Sequence, residues 1–572
     1  MRKAWFVAFG LVATAAACGG SDDDTSNDDA DGGGQQATSS SSGSSGAGST
    51  SGGGGSSGTS SGAGSSSSSG GGGSSGTSSS SGGDDLDGGD TDGDAGDEPD
   101  ADAAIDAGPS FVYRKYDLNH LLVAGQSNAL GIGGGIVLDT TARGGPACSA
   151  ATPEACASLM FSTGVFPTRT CQGDHNGCRF YEARSAFAPL REGDTYFSDD
   201  SYALQTPGSS LGNQTASLAS SVHFPGIALG AAGTRTLVSN HARSGTGYIC
   251  LRKGGCPTWW GGGIPATVKP AFTDGIDQVT QAKALADARA WSYAVRGVFV
   301  VHGENNHVAN RLGQTNPNQD EFPMTATNGM GNTTNYTGAL LEWQRDYETA
   351  ITAITAQTVP VPMFITQMNN WTSVNGYNSS ASVIPQQQLA AFRQAPEKVV
   401  LVTPTYPFAF TSDKVHLAPE GSRRVGEYFA KAYAQTTFAG RPWAPLYPLQ
   451  VTRAGAVITV RFHVPAPPLV FDTLAVTDPN GKYGFVFADG GANPATIQTV
   501  ALSGDSVSVT LDKAPVGANP RLRYASDGTA GASAGPTTGA RGNLRDSDDT
   551  RAESDANVRL VNWSVAFDEA VP

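Results

Sequence analysis

His120-Leu121-Leu122-Val123-Ala124-Gly125-Gln126-Ser127-Asn128 is the stretch on which the reading of this chain turns. Its apolar run stops at a glycine and then becomes polar, the signature of a short strand buried on both faces. Three similar runs follow: Val298-Phe299-Val300-Val301, Val361-Pro362-Met363-Phe364-Ile365 and Val399-Val400-Leu401-Val402. Helical patterns lie between them, at 214–222, 336–355, 385–393 and 419–433. Continuous apolar strands alternating with helices predict a doubly wound α/β domain with a parallel sheet, over residues 111–444. Sites in such sheets lie beyond the carboxyl ends of the strands, which is where Ser127 falls. The long glycine-rich stretches 130–208 and 236–265 read as insertions that build or cover the cleft.

Beyond this domain the texture changes. Short alternating segments such as Ala456-Val457-Ile458-Thr459-Val460-Arg461-Phe462 and Ser506-Val507-Ser508-Val509 are separated by turns such as Pro479-Asn480-Gly481. They predict a smaller all-β sandwich over residues 445–572. Trp563 and the strand aromatics could form a carbohydrate platform or a core. The polar stretch 541–548 reads as a loop that docks onto the α/β domain or binds an ion.

The opposite end does not pack. Residues 19–110 are nearly all Ser, Gly, Thr, Asp and Ala, and bury too little apolar surface to offset their ordering entropy, so they read as a disordered linker. A coil of that composition and length spans about 50 Å. Before it, Arg2 and Lys3 precede an apolar run too short to cross a bilayer, the layout of a signal peptide over residues 1–18. The small residues Ala15, Ala16 and Ala17 ahead of Cys18 resemble a bacterial lipobox, with Cys18 as the lipidated residue. The expectation is an exported chain held to a membrane by its lipid anchor alone; cleavage after Ala17 and secretion is the alternative.

A formal charge of −16 and a pI near 4.9 argue against a nucleic-acid partner, which would need clustered Lys and Arg. Six cysteines remain besides Cys18, in three close pairs. The most economical of fifteen pairings is Cys148–Cys156, Cys171–Cys178 and Cys250–Cys256, as suits an oxidising compartment. None of these spacings is that of a zinc ribbon.

The chemistry-bearing residues fall at strand ends. A serine needs a base to take its proton, and the base needs an acid to fix its tautomer. Asp413-Lys414-Val415-His416 can deliver both from one loop. His302-Gly303-Glu304 ends another strand, where a side chain could help bind an oxyanion. Gly212, in Leu211-Gly212-Asn213, is expected at a helix start with its amide free. His302, Glu304 and His307 lack supporting ligands at metal spacing, so no metal set is read.

Together, Gly125-Gln126-Ser127-Asn128, Leu211-Gly212, His302-Gly303-Glu304 and Asp413-Lys414-Val415-His416-Leu417 resemble the blocks of the SGNH hydrolase superfamily, in its sialate O-acetylesterase-like and carbohydrate (acetyl xylan) esterase branch. The resemblance spans the α/β domain in the family's order. It implies a flavodoxin-like fold, Ser127 as nucleophile, His416 as base and Asp413 as its partner. It also implies an oxyanion hole from Ser127, Gly212 and His302, with Gln126, Asn128 and Glu304 in support. His302 stands where the family usually has Gln. No cofactor is implied, and the expected substrate is an acetylated carbohydrate, acted on by a monomer. A lipid or polyester esterase and a non-catalytic glycan-binding lipoprotein are the alternatives.

Overall fold

The computed structural model describes residues 113–131, 138, 148–149, 151–166, 169–171, 178–180, 184–192, 206–219, 233–255, 269–307, 333–374 and 378–572. The signal peptide, Cys18 and the linker lie outside these residues. The described residues fall within one compact unit.

Its centre is a seven-stranded sheet: β1 (Leu118–Gly125), β2 (Ser158–Phe161), β3 (Phe187–Pro189), β4 (Arg235–Asn240), β5 (Tyr293–Val301), β6 (Met363–Gln367) and β7 (Val399–Pro404), in the order β3-β2-β4-β1-β5-β6-β7. All neighbours are parallel except β3, which runs antiparallel to β2 at the edge. The run β4-β1-β5-β6-β7 has the strand order of a flavodoxin-like sheet. Every residue of β1 and β5 is buried, which is why those strands read as continuous apolar runs.

The helices are α1 (Ser127–Leu130), α2 (Pro207–Ala219), α3 (Tyr248–Leu251), α4 (Ala271–Asp287), α5 (Tyr336–Thr355), α6 (Ile384–Gln394) and α7 (Pro419–Thr437). The α2–α7 contact is close because both helices are glycine-bearing there. A Cβ on Gly426 would lie 2.1 Å from the Pro207 carbonyl oxygen. Segment 236–265 is not wholly an insertion: β4 occupies its start, beside β1. Arg235, Thr236, Ser239 and Asn240 make β4 look polar, yet all are buried. Likewise β2 and β3 extend the sheet from within 130–208.

The antiparallel part begins at Tyr447. A four-stranded sheet is ordered β8-β9-β12-β11, from β8 (Tyr447–Ala454), β9 (Val457–His463), β11 (Ile497–Ser503) and β12 (Ser506–Leu511). A three-stranded sheet is ordered β10-β13-β14, from β10 (Phe485–Ala488), β13 (Arg521–Tyr524) and β14 (Phe567–Ala570). Trp563 is buried against Tyr406, with ring centroids 6.2 Å apart, so it is a core residue and no platform. Leu474, between the strands, is 99% exposed.

This part is joined to the α/β layers by buried polar bonds. Gln367 donates to the Ala566 carbonyl at 2.9 Å and accepts the Ala566 amide at 2.6 Å. The Tyr406 hydroxyl donates to the Ser564 carbonyl at 2.8 Å. Lys431, buried on α7, donates to the Leu560 carbonyl, Asn562 Oδ1 and Asp548 Oδ2 at 2.5, 2.8 and 2.8 Å. The acidic stretch around Asp546 therefore docks onto the α/β part around a lysine ammonium.

Cys148 and Cys156 form a disulfide. Strand register places Cys171 opposite Cys178. Cys250 is disulfide-bonded, and Cys256 lies outside the described residues.

Candidate active site

The β1 strand ends at Gly125, whose φ of 126° and position leave no room for a side chain: a Cβ would sit 2.2 Å from the Val301 carbonyl oxygen. Only glycine turns the chain this tightly. Gln126 then bonds back to the same carbonyl at 3.2 Å, and Ser127 opens α1. At the first position of a one-turn helix, the Ser127 amide has no acceptor in the helix ladder. The side chain of the next residue, Asn128, is buried.

After β7 the chain crosses back over the sheet to the turn 413–416. There His416 Nδ1 and Asp413 Oδ2 are 2.6 Å apart. Asp413 Oδ1 accepts from Thr411 Oγ1 and the amides of Val415 and His416 at 2.6, 2.9 and 3.0 Å. Partial burial works against the Asp413 charge, but these bonds and the His416 imidazole outweigh it and hold the carboxyl far below the usual range. Lys414 takes a left-handed conformation, φ 67°, to close the turn.

Asn128 ties the two segments together. Its Oδ1 accepts the Leu417 amide at 2.9 Å, and its Nδ2 donates to the Val415 carbonyl at 3.3 Å. The residue after Ser127 thus grips both neighbours of His416. Asn128 Nδ2 also donates to Glu304 Oε1 at 2.7 Å, and Asn370 Nδ2 donates to the same oxygen at 3.2 Å and to the Val415 carbonyl at 2.8 Å. Burial raises the pKa of Glu304, opposed by these amides and by nearby His416. Gln126 Oε1 accepts the Asn305 amide at 3.3 Å, fastening the third block to the first.

No family model matches the chain, and no curated protein sequence matches it. In structure it is similar to carbohydrate acetylesterases. One from Xanthomonas citri is 16% identical, with 79% of this chain and 80% of that one covered and a TM-score of 0.44. NanS is 12% identical over 56% of this chain and 98% of its own, with a TM-score of 0.29. A carbohydrate acetylesterase from Sinorhizobium meliloti is 9% identical over 55% of this chain and 98% of its own, with a TM-score of 0.26.

Two expected oxyanion donors are placed elsewhere by the fold. His302 is buried with both ring nitrogens engaged, Nδ1 with the Tyr336 hydroxyl at 2.6 Å and Nε2 with the Thr246 carbonyl at 3.1 Å. Burial lowers its pKa to about 4, against the raising effect of the Thr246 carbonyl. It is a neutral bracing residue with no N–H left for an oxyanion. Gly212 lies inside α2, not at its start, because the helix begins at Pro207. A Cβ there would meet Leu190 at 2.2 Å and Val238 at 2.9 Å, so its glycine serves packing. Its amide belongs to the helix ladder.

What lies beside the Ser127 turn instead is the loop following β4. The His241 amide donates to the Val123 carbonyl and the Arg243 amide to the Gly125 carbonyl, both at 3.0 Å. Asn240 Nδ2 donates to the Ala129 carbonyl at 2.7 Å. Further along this loop, Gly245 has a φ of 62° and open space where a Cβ would be. Arg243 is held by buried Asp274 at 3.1 Å, which also pairs with Arg184 at 2.7 Å. The loop falls within segment 236–265, read from sequence as building or covering the cleft, but none of its residues was named, and Asn370 was not singled out. The available signals were a glycine shortly after a strand, and the polar pair Asn369-Asn370 just past Gln367.

Proposed function

We propose that the chain is a serine esterase that hydrolyses short-chain acyl esters on carbohydrate. The observation that carries this reading is the hydrogen-bonded Asp413–His416 pair, gripped on both sides by the residue that follows Ser127. In the proposed reaction His416 Nε2 takes the Ser127 hydroxyl proton as the oxygen attacks the ester carbonyl. Asp413 accepts from His416 Nδ1–H, fixing the tautomer and stabilising the imidazolium that forms. The alcohol leaves with the proton from His416, and water then cleaves the acyl-enzyme by the same relay.

Charge developing on the carbonyl oxygen would be met by the Ser127 amide and by amides of the loop around Gly245, in place of His302 and Gly212. The substrate class, an acetylated carbohydrate, follows from the motif resemblance. Export and lipid anchoring at Cys18 belong to the same proposal and would be checked by radiolabelled palmitate incorporation, lost in Cys18→Ser.

The deciding experiment is acetate release from acetylated xylan and from p-nitrophenyl acetate, with fluorophosphonate labelling in parallel. Ser127→Ala should lose both activities and the label. Retained turnover in that variant would exclude Ser127 as nucleophile, and absence of labelling in the wild type would exclude an activated serine.

A further inference from the structure

A cleft of about 530 Å³ opens where the start of α6 meets β13 and β14. The α/β side lines it with His307, Ser382 and Gln386, and the antiparallel side with Arg521, Arg523 and Asp568. That volume falls within the roughly 300–1,000 Å³ usual for ligand sites, which favour boundaries between structural units. The cleft is one turn of chain from the candidate active site. The His307 amide donates to the Gly303 carbonyl at 2.9 Å, and Glu304 in that turn accepts from Asn128, next to Ser127.

The lining chemistry narrows the ligand. Arg521 Nε pairs with Asp568 at 2.8 Å and Arg523 Nη1 with Asp527 at 3.1 Å, so the charges already balance. A polyanion gains little from guanidinium groups that carboxylates have neutralised. Accessible hydrogen-bonding capacity remains: the Arg521 and Arg523 side chains are 43% and 29% exposed, and Gln386 and Gln387 beside them are half-buried. An amide acceptor near a guanidinium donor suits sugar hydroxyls, which both donate and accept. Among the described lining residues there is no Phe, Tyr or Trp, so an aryl ligand would find no stacking partner.

We propose that this cleft is a second carbohydrate subsite that holds a neutral, hydroxyl-rich stretch of the polymer whose ester is cleaved at Ser127. It rests on the esterase reading, and makes the natural substrate a polysaccharide, not a free acetylated sugar. Two variants test it in the full chain: Ala381→Trp, which fills the cleft from an exposed position, and Arg523→Ala, which removes a donor. By affinity electrophoresis in deacetylated neutral xylan, the wild type should be retarded and both variants should run free. On acetylated xylan KM should rise about tenfold, with p-nitrophenyl acetate turnover unchanged. An unretarded wild type, variants retarded like it, or retardation by polygalacturonate alone would overturn the subsite. Because retardation needs no catalysis, loss of the esterase reading would appear separately, as absent acetate release from every ester.

Discussion

Asn128 accepts the Leu417 amide at 2.9 Å through a side chain that also donates to the Val415 carbonyl, so the position of His416 is set from the turn that carries Ser127. Asn128→Ala removes both bonds and lets the 413–416 turn drift. Misplacement on the ångström scale costs about 10²-fold in rate. The expected result is a kcat on p-nitrophenyl acetate about 10²-fold lower with KM little changed. A kcat within twofold of wild type would refute the positioning role.

Asp413→Asn keeps the size of the side chain but presents an amide to His416 Nδ1. The imidazole then favours the tautomer that cannot take the Ser127 proton. Loss of about 10³–10⁴-fold in kcat is expected, measurable by p-nitrophenyl acetate hydrolysis. Since Asp413 stays ionised far below the usual carboxylate range, loss of activity of the wild type in mild acid should not follow titration of this group.

Three buried histidines make the fold sensitive to acid. Burial lowers the pKa of His120 and His241 to about 3 and of His302 to about 4, against 6.5 in an unfolded chain. All are neutral when folded, so below pH 6.5 the unfolded state binds more protons and stability falls. Each histidine contributes up to about 1.4 kcal/mol per pH unit over that window. The urea midpoint should drop steeply from pH 6.5 to about 4, and less steeply in His120→Gln. A flat midpoint across that range would contradict three neutral buried imidazoles.

Lys431 is a buried cation set against the carboxylates of Asp546 and Asp548. Burial lowers its pKa, while Asp548 and Asp546 raise it. Lys431→Met leaves those carboxylates uncompensated, and removing one partner of such a buried pair costs about 3–5 kcal/mol. Thermal melting should show the loss. An unchanged Tm would mean that the docking of the acidic stretch contributes nothing to the fold.

The sequence made the outline of the sheet legible wherever strands are apolar on both faces, as in β1 and β5, and it placed α5 at its observed limits. It failed at β4, where buried Thr236, Ser239 and Asn240 mimic a loop. Polar residues are tolerated there because tertiary partners satisfy them: Ser239 Oγ is 2.7 Å from His120 Nε2 and Asn240 bonds Ala129 and Ala242. The closeness of Asp413 and His416 was legible from their three-residue spacing on one loop, and the fold sets them 2.6 Å apart beside Asn128, the residue after Ser127. The surroundings of His302 and Gly212 were not legible. The side-chain direction of His302 depends on Tyr336 and Thr246, and the start of α2 depends on glycine packing against Leu190, Val238 and α7. Neither is a local property of the chain.

The pairing of Gln367 with Ala566 joins residues 199 positions apart. Gln367 closes β6 beside the candidate catalytic layer, yet its partners emerge from the ribosome, or from an export channel, only with the final strand. Long-range closures of this kind slow folding. A polypeptide cut short before residue 566 would leave the buried Gln367 side-chain oxygen without its donor, its amide nitrogen keeping only the Pro385 carbonyl at 3.0 Å. Hydrolytic competence would therefore be expected late in biogenesis, with premature release yielding inert, protease-sensitive material.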